Sequence, residues 1–426
     1  MAVTARSKPT RDFPELRALR VLTPDARLVF ATRAVRMAAY GALAVILAVY
    51  LATLGFTSAG IGLLMSLTLV GDTFVSLLLS TRADRWGRRR TLAAGALLVV
   101  LAGAVLAVSH NYLVVLIACI IGVISPSGNE VGPFLAVEQA ALSEEIPDSE
   151  RTGVFAWFNL LGSFAAAAGA LLAGALVSGL QAGGLSPLAA QRSVIWAYAA
   201  TGLLLAVLFM RLSRRVEAPA SLRAPSDEPR RTLSAGSRPT VIKLSSLFAL
   251  DAFGGGFVVQ SLIAYWFHVR YGLDAGLLGA LLFGTNLLAG ISALLAARLA
   301  RRIGLVNTMV FTHLPSNILL MLVPFMPNLT LAVIMLLARF AISQMDVPAR
   351  QAFVMAVVLP DERSAAAGFT GAARTAGAAI SPALAGALIG AGWLAWPFLL
   401  SGLLKSIYDL GVYRAFTGLK VNDTRP

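Results

Sequence analysis

Ser80-Thr-Arg-Ala-Asp-Arg-Trp-Gly-Arg-Arg-Arg90 separates two long apolar runs and carries five arginines and one aspartate in eleven residues. A segment so charged cannot lie in hydrocarbon, where each arginine or aspartate at mid-span costs roughly 2.5–3.5 kcal/mol on insertion scales. It reads as a short loop at a membrane surface, and the flanking runs read as spans. The rest of the chain agrees. Of 426 residues, 58% are hydrophobic and 13% charged, with mean hydropathy +0.78. That composition suits a polytopic helical bundle and no soluble fold of this length.

A helical span needs roughly 20 apolar residues, each rising about 1.5 Å. That ruler gives twelve segments: 28–53, 58–80, 91–108, 112–137, 153–178, 193–212, 242–268, 275–297, 306–325, 329–357, 366–390 and 393–415. Thr23-Pro24 supplies an N-cap and a first-turn proline for the opening helix. The expected fold is an all-α integral membrane protein. Its parts are a tail over 1–27, a six-helix bundle over 28–212, a linker rich in Arg, Ser and Pro over 213–241, a second bundle over 242–415, and a tail over 416–426. Composition of this kind makes the linker flexible.

The net charge of +14 does not point to nucleic acid, because of where it lies. Arginines crowd the N-terminal tail, the 82–90 loop, the linker and the Arg298–Arg302 turn, whereas the alternate loops near 56–60, 109–111, 326–328 and 391–392 carry no charge. This asymmetry places both termini in the cytoplasm of a multi-pass protein of the cell (inner) membrane. No early apolar run with a small-residue cleavage site marks a signal peptide. Cys119 is the sole cysteine and the three histidines stand far apart, so neither a disulfide nor a metal centre is expected, and no cofactor.

The two halves repeat. Gly55 and Gly272 are 217 residues apart, as are Gly87 and Gly304, so Ala83-Asp-Arg-Trp-Gly87 answers Ala300-Arg-Arg-Ile-Gly304. Later the offset becomes 212: Gln139 answers Gln351, Arg151 answers Arg363, and Gly174 answers Gly386. Pro147-Asp-Ser-Glu-Arg151 and Pro360-Asp-Glu-Arg363 are matching loops.

Asp84-Arg85-x-Gly87-Arg88-Arg89 resembles the G-x-x-x-D-R-x-G-R-R loop between helices 2 and 3 of the major facilitator superfamily, with Ser80 in place of the opening glycine. The resemblance covers residues 24–415, although only this loop is motif-grade. It implies two pseudo-symmetric six-helix halves around a central site, alternating access, a small-molecule substrate and protons as coupling ion. It also implies that the loop residues make cytoplasmic contacts holding the halves together in one access state. Arg151 and Arg363, with Glu138 and Arg350, are expected to join that cytoplasmic gate.

Charges inside spans invite a functional reading. Arg36, Asp251, Arg339 and Arg374 each lie roughly 12–18 Å along their helices, with Lys405 at similar depth and Asp72 nearer the cytoplasm. Glu130, Glu138, Asp346 and Arg350 occupy the cytoplasmic thirds of segments 4 and 10. The resemblance makes segments 1, 4, 7 and 10 line the cavity, and Arg36, Glu130, Asp251, Arg339 and Asp346 fall on those four. Ser125-Pro-Ser-Gly-Asn-Glu-Val-Gly-Pro133 and Asp346-Val-Pro348 interrupt their helices and free backbone groups for a polar ligand. Structural pairing is the alternative: Asp251 with Arg339 or Arg374, and Lys405 with Asp409 at i,i+4. Arg33, close to the interface, is expected to snorkel. Coupling to protons needs a carboxylate whose protonation responds to burial or a changing partner; Asp72, Glu130, Asp251 and Asp346 qualify, Asp251 and Glu130 first, and no histidine is placed to serve.

The midplane set holds more arginine than acid, and bidentate guanidinium suits carboxylate or phosphate. Tyr40, Trp157, Phe158 and Trp266 either shape an amphiphilic pocket or pack. The antiporter signature G-P-x-x-G-G is split: Gly169-Ala-Leu-Leu-Ala-Gly174 lacks its proline, and Ser381-Pro-Ala-Leu-Ala-Gly386 lacks its first glycine. Small residues there also permit close helix contact. The first expectation is a proton-driven exporter of small organic compounds resembling the drug-efflux branch, and the alternative is uptake of an organic anion. A membrane receptor or enzyme comes third, since no HExxH, G-x-S-x-G or phosphate loop is present. A monomer suffices, because one chain holds a whole pathway.

Overall fold

The structure is a computed structural model, and it describes residues 21–130, 132–217, 233–359 and 362–417. The termini, the middle of the linker and the Pro360–Asp361 part of the second matching loop lie outside them. The first half comprises α1 (Pro24–Thr53), α2 (Ser58–Trp86), α3 (Arg88–Val108), α4 (Tyr112–Ile121), α5 (Phe134–Glu145), α6 (Asp148–Ala182) and α7 (Pro187–Arg211). The second comprises α8 (Ser237–Gly256), α9 (Gln260–Tyr271), α10 (Ala275–Ile303), α11 (Leu305–Leu322), α12 (Leu329–Ser343), α13 (Asp346–Ala356), α14 (Arg363–Gly390) and α15 (Trp396–Phe416). Thr23 caps α1 as expected, its hydroxyl accepting from the Ala26 amide.

Among the described residues, ten helical stretches are long and apolar enough to cross a membrane, counting α8–α9 and α12–α13 as one each. The other two expected crossings depart from a plain span for visible reasons. α15 has 21 residues but carries Lys405 and Asp409. Crossing 4 is only ten residues of apolar helix in α4, followed by an irregular stretch and then α5. Pro126 and Pro133 lack amide donors, and Gly128 and Gly132 adopt φ of 66° and 79°, a region open to glycine and closed to most side chains.

Both repeat-related glycine pairs fall at matching turns. Gly87 (φ 99°) and Gly304 (φ 85°) end α2 and α10, and Gly55 and Gly272 also have positive φ. The halves meet where α2 packs on α14 and α6 on α10. A Cβ on Gly62 would come within 2.4 Å of the Pro382 carbonyl oxygen, and one on Gly174 within 2.4 Å of that of Ala275. Gly62 faces Gly386 and Gly174 faces Gly279, and the repeat offsets exchange the two contacts, 62 to 279 and 174 to 386. The split antiporter signature is thus a pair of backbone-to-backbone seams.

These seams lie within a few turns of the uncharged loops. Nearby, Ser58 and Tyr265 share a hydrogen bond of 2.8 Å, and the Ala383 amide, following Pro382, donates to Ser66 at 2.8 Å. Deeper, the Ser261 amide donates to the Pro126 carbonyl at 3.0 Å.

At the arginine-rich end the motif loop bonds, among the described residues, within the first half and to the start of the linker. Arg88 donates to Asp84 and Glu144, both at 2.9 Å, and to the Val216 carbonyl at 3.2 Å, while its amide donates to Glu217 at 2.7 Å. Arg89 reaches the Met210 carbonyl and Arg85 is exposed. Arg151 donates to the Ser143 carbonyl and Arg363 to that of Met355 at 3.1 Å, repeat-related bonds onto helix C-termini. Among the described residues, none of these bonds crosses from one half to the other.

Candidate functional site

A cavity of about 510 Å³ opens between the halves, lined by residues of α1, α2, the broken crossing 4, α6, α8, α9, α10, α12, α14 and α15. Helix interruption positions its polar wall. α8 ends at Gly256, where a side chain would strike the Ser381 hydroxyl and the Ala378 carbonyl, and α9 resumes at Gln260. The amides of Gln260 and Asn286 bond to each other at 2.7 Å. Of the sequence candidates, Asp72, Glu130, Asp251, Arg339 and Arg374 line the cavity, whereas Arg36 and Asp346 stand behind it as partners.

The first half holds a balanced cluster. Arg36, fully buried, grips Glu138 with both terminal nitrogens at 2.7 Å and Glu130 through Nε at 2.7 Å. Arg33 binds Glu130 at 2.7 Å and the Phe158 carbonyl at 2.8 Å. Two cations thus neutralise two carboxylates. Arg33 therefore does not snorkel: it is buried, because a carboxylate and a carbonyl replace its water. Glu138 belongs to this cluster and not to a cytoplasmic gate. Asp72 stands apart, accepting from the Gly132 amide at 2.7 Å and Ser76 at 3.3 Å, with no basic partner among the described residues.

The second half is unbalanced. Asp251 binds Lys405 at 2.7 Å through Oδ1, and Arg374 at 2.9 Å and Arg350 at 3.1 Å through Oδ2. Arg350 also binds Asp346 at 3.0 Å. Asp409, fully buried, accepts from His313 Nδ1 and from Asn317, each at 2.9 Å. The expected Lys405–Asp409 pair is replaced by Lys405–Asp251, and Arg350 too is central and not part of a gate. Arg339, Arg350, Arg374 and Lys405 face Asp251, Asp346 and Asp409, so four cations meet three carboxylates even with His313 neutral. The surplus sits on Arg339. Its side chain lines the cavity and is 93% buried, its Nε finds no hydrogen-bond partner, and its guanidinium lies 4.6 Å from the Phe340 ring centre.

The aromatic candidates pack. Tyr40 and Trp266 are buried, with Trp266 donating to the Leu394 carbonyl, and Arg33 lies 4.2 Å over Phe158. None of the four, Trp157 included, is among the lining residues. Sequence reasoning set His313 aside with the other histidines; its place four residues from Asn317 on a membrane-spanning helix was the available signal.

Two six-helix halves joined through glycine seams around a charged central cavity agree with the family match, which spans residues 29–345 to the Major Facilitator Superfamily. The chain belongs to the major facilitator superfamily. An uncharacterized membrane protein of Saccharomyces cerevisiae is 30% identical over 93% of this chain and 94% of its own length. Among solved members of the superfamily fold, a nucleoside transporter has TM-score 0.73 at 14% identity, covering 92% of this chain and 99% of its own. A bacterial homolog of the human lysosomal transporter Spinster, inward-facing and occupied, has TM-score 0.73 at 14% identity, covering 97% and 98%. A D-xylose–proton symporter has TM-score 0.70 at 15% identity, covering 91% and 97%. At these identities the likeness concerns fold. As a member of the superfamily the chain is a multi-pass membrane transporter and not an enzyme.

Proposed function

We propose that this transporter carries a small organic anion, bearing a carboxylate or phosphate, in a proton-coupled alternating-access cycle. The observation that carries the reading is Arg339: a buried cavity-lining cation with no carboxylate partner among the described residues. Such a charge is costly alone, and an anionic group docked on it removes that cost while gaining charge-assisted bonds. Arg374, part-exposed on the same wall, offers a second donor, and the Gln260–Asn286 amides offer neutral contacts for the remainder of the molecule.

The arginine-rich end, with both termini, faces the cytoplasm by the positive-inside asymmetry. With the seams closed at the other end, the conformation is inward-facing, which accounts for a motif loop that, among the described residues, bonds nothing in the second half. The surplus of midplane cations favours organic anions over the lipophilic cations of drug export, and it leaves export or uptake equally served by one cavity.

Proteoliposomes test the reading. A panel of mono- and dicarboxylates, organic phosphates, neutral sugars and organic cations is offered with a pH gradient, comparing wild type with Arg339→Gln. Anion-specific movement that dissipates the gradient and is lost in the variant supports it; carriage of cations or sugars alone overturns it. Inside-out against right-side-out vesicles assign the direction.

A further inference from the structure

The coupling proton must sit where its arrival changes what holds the substrate, and His313 of α11 is so placed. Its Nδ1 faces Asp409 Oδ1 at 2.9 Å, and its Nε2 lies 3.8 Å from Asp251 Oδ1, the oxygen that Lys405 also binds. A ring nitrogen bonded to a buried carboxylate is the protonated one in the neutral tautomer, which leaves the Nε2 lone pair turned toward Asp251. The groups around this imidazole are Asp409, Lys405 and Tyr408 from α15, Asp251 from α8, Asn317 from its own helix, and beyond Asp251 the cations Arg350 of α13 and Arg374 of α14.

We propose that His313 is the proton-binding residue of the transport cycle, bridging Asp409 to Asp251. The proposal rests on the proton-coupled anion reading. A proton on Nε2 gives His313 a donor aimed at Asp251 Oδ1. It then competes with Lys405 and Arg374 for the one carboxylate those cations share, and adds a positive charge to a cluster that already has one in surplus. Arg374, on the cavity wall, is released toward the substrate. Proton arrival therefore strengthens anion binding, and proton departure through the opposite opening restores Asp251 to its three cations and weakens it. Asp72 does not offer this linkage. Its carboxylate is held by Gly132 and Ser76, so its protonation leaves every arginine with the same partners.

Histidine-selective ¹⁵N labelling of the full chain in detergent decides the matter without a substrate, since only His110, His268 and His313 contribute and His313→Gln assigns the signal. The expected result is that the neutral His313 ring carries its proton on Nδ1, facing Asp409, and that Asp409→Asn moves it in part to Nε2. A wild-type ring with its proton on Nε2, or a tautomer that is the same in Asp409→Asn, overturns the proposal. In proteoliposomes, a pH gradient accelerates anion movement by wild type and not by His313→Gln; acceleration retained in His313→Gln also overturns it. Failure of the anion reading shows separately, as a wild type that carries no anion of the panel.

Discussion

Glu138 and Arg350 occupy equivalent positions 212 residues apart with opposite charge, and each bonds an opposite charge on the first helix of its own half. Glu138 meets Arg36 at 2.7 Å and Arg350 meets Asp251 at 3.1 Å. The repeat has kept the position of a buried ion pair while inverting its polarity. The first cluster is neutral, and among the described residues the second carries one cation more than its carboxylates, while residues of both halves line the cavity.

Removing Arg36 leaves Glu138 buried without its bidentate partner. Arg36→Met is expected to destabilise by about 3–5 kcal/mol, the usual result of breaking a buried pair from one side. Adding Glu138→Met recovers most of the loss. Denaturant unfolding in detergent micelles checks both, and a single variant as stable as wild type contradicts the pairing.

Lys405 separates what the sequence suggested from what the fold builds. A double-mutant cycle for Lys405 with Asp251 is expected to give a coupling of about 2 kcal/mol, against about 0.5 kcal/mol or less for Lys405 with Asp409. Equal couplings contradict the arrangement.

The arginine-rich turn makes a graded prediction. Arg88 is buried with two carboxylates and a carbonyl, so Arg88→Ala costs about 1–3 kcal/mol. Arg85 is exposed, and Arg85→Ala stays within about 0.5 kcal/mol. Thermal unfolding of the two variants tests the ranking; a larger loss at Arg85 would place the contacts elsewhere.

The seams predict a conformational shift. A side chain on Gly386 meets the Ser58 carbonyl at 2.4 Å, so Gly386→Val prevents the halves from closing at the uncharged end. A cysteine at the cavity residue Met37 then reacts faster with an impermeant thiol reagent applied from that end. The sole native thiol, Cys119, is buried and gives little background. An unchanged labelling rate argues against the seam as the seal.

Much of this was legible in the sequence, and the boundary has a physical cause. Twelve apolar stretches, two halves and the depth of Asp251, Arg339 and Arg374 follow from length, period and charge. Which charge meets which depends on rotation about each helix axis and on where helices break, and a linear reading resolves neither. Lys405 is an i,i+4 neighbour of Asp409, yet Asp251 from another helix reaches it first. Arg33 sits near a helix end, yet Glu130 arrives from the unwound crossing 4 to meet it. His313 was hidden because its meaning depends on Asp409, 96 residues away.

Arg339→Gln is the most direct measurement, taken for both stability and anion carriage. Since Arg339 alone of the four central cations Arg339, Arg350, Arg374 and Lys405 lacks a carboxylate partner among the described residues, its loss should leave stability unchanged or higher, while anion transport at limiting concentration falls by at least about tenfold, the value of one charged hydrogen bond. An Arg339→Gln protein that unfolds more readily and still carries the same anion at the wild-type rate would make Arg339 a structural residue and contradict the account.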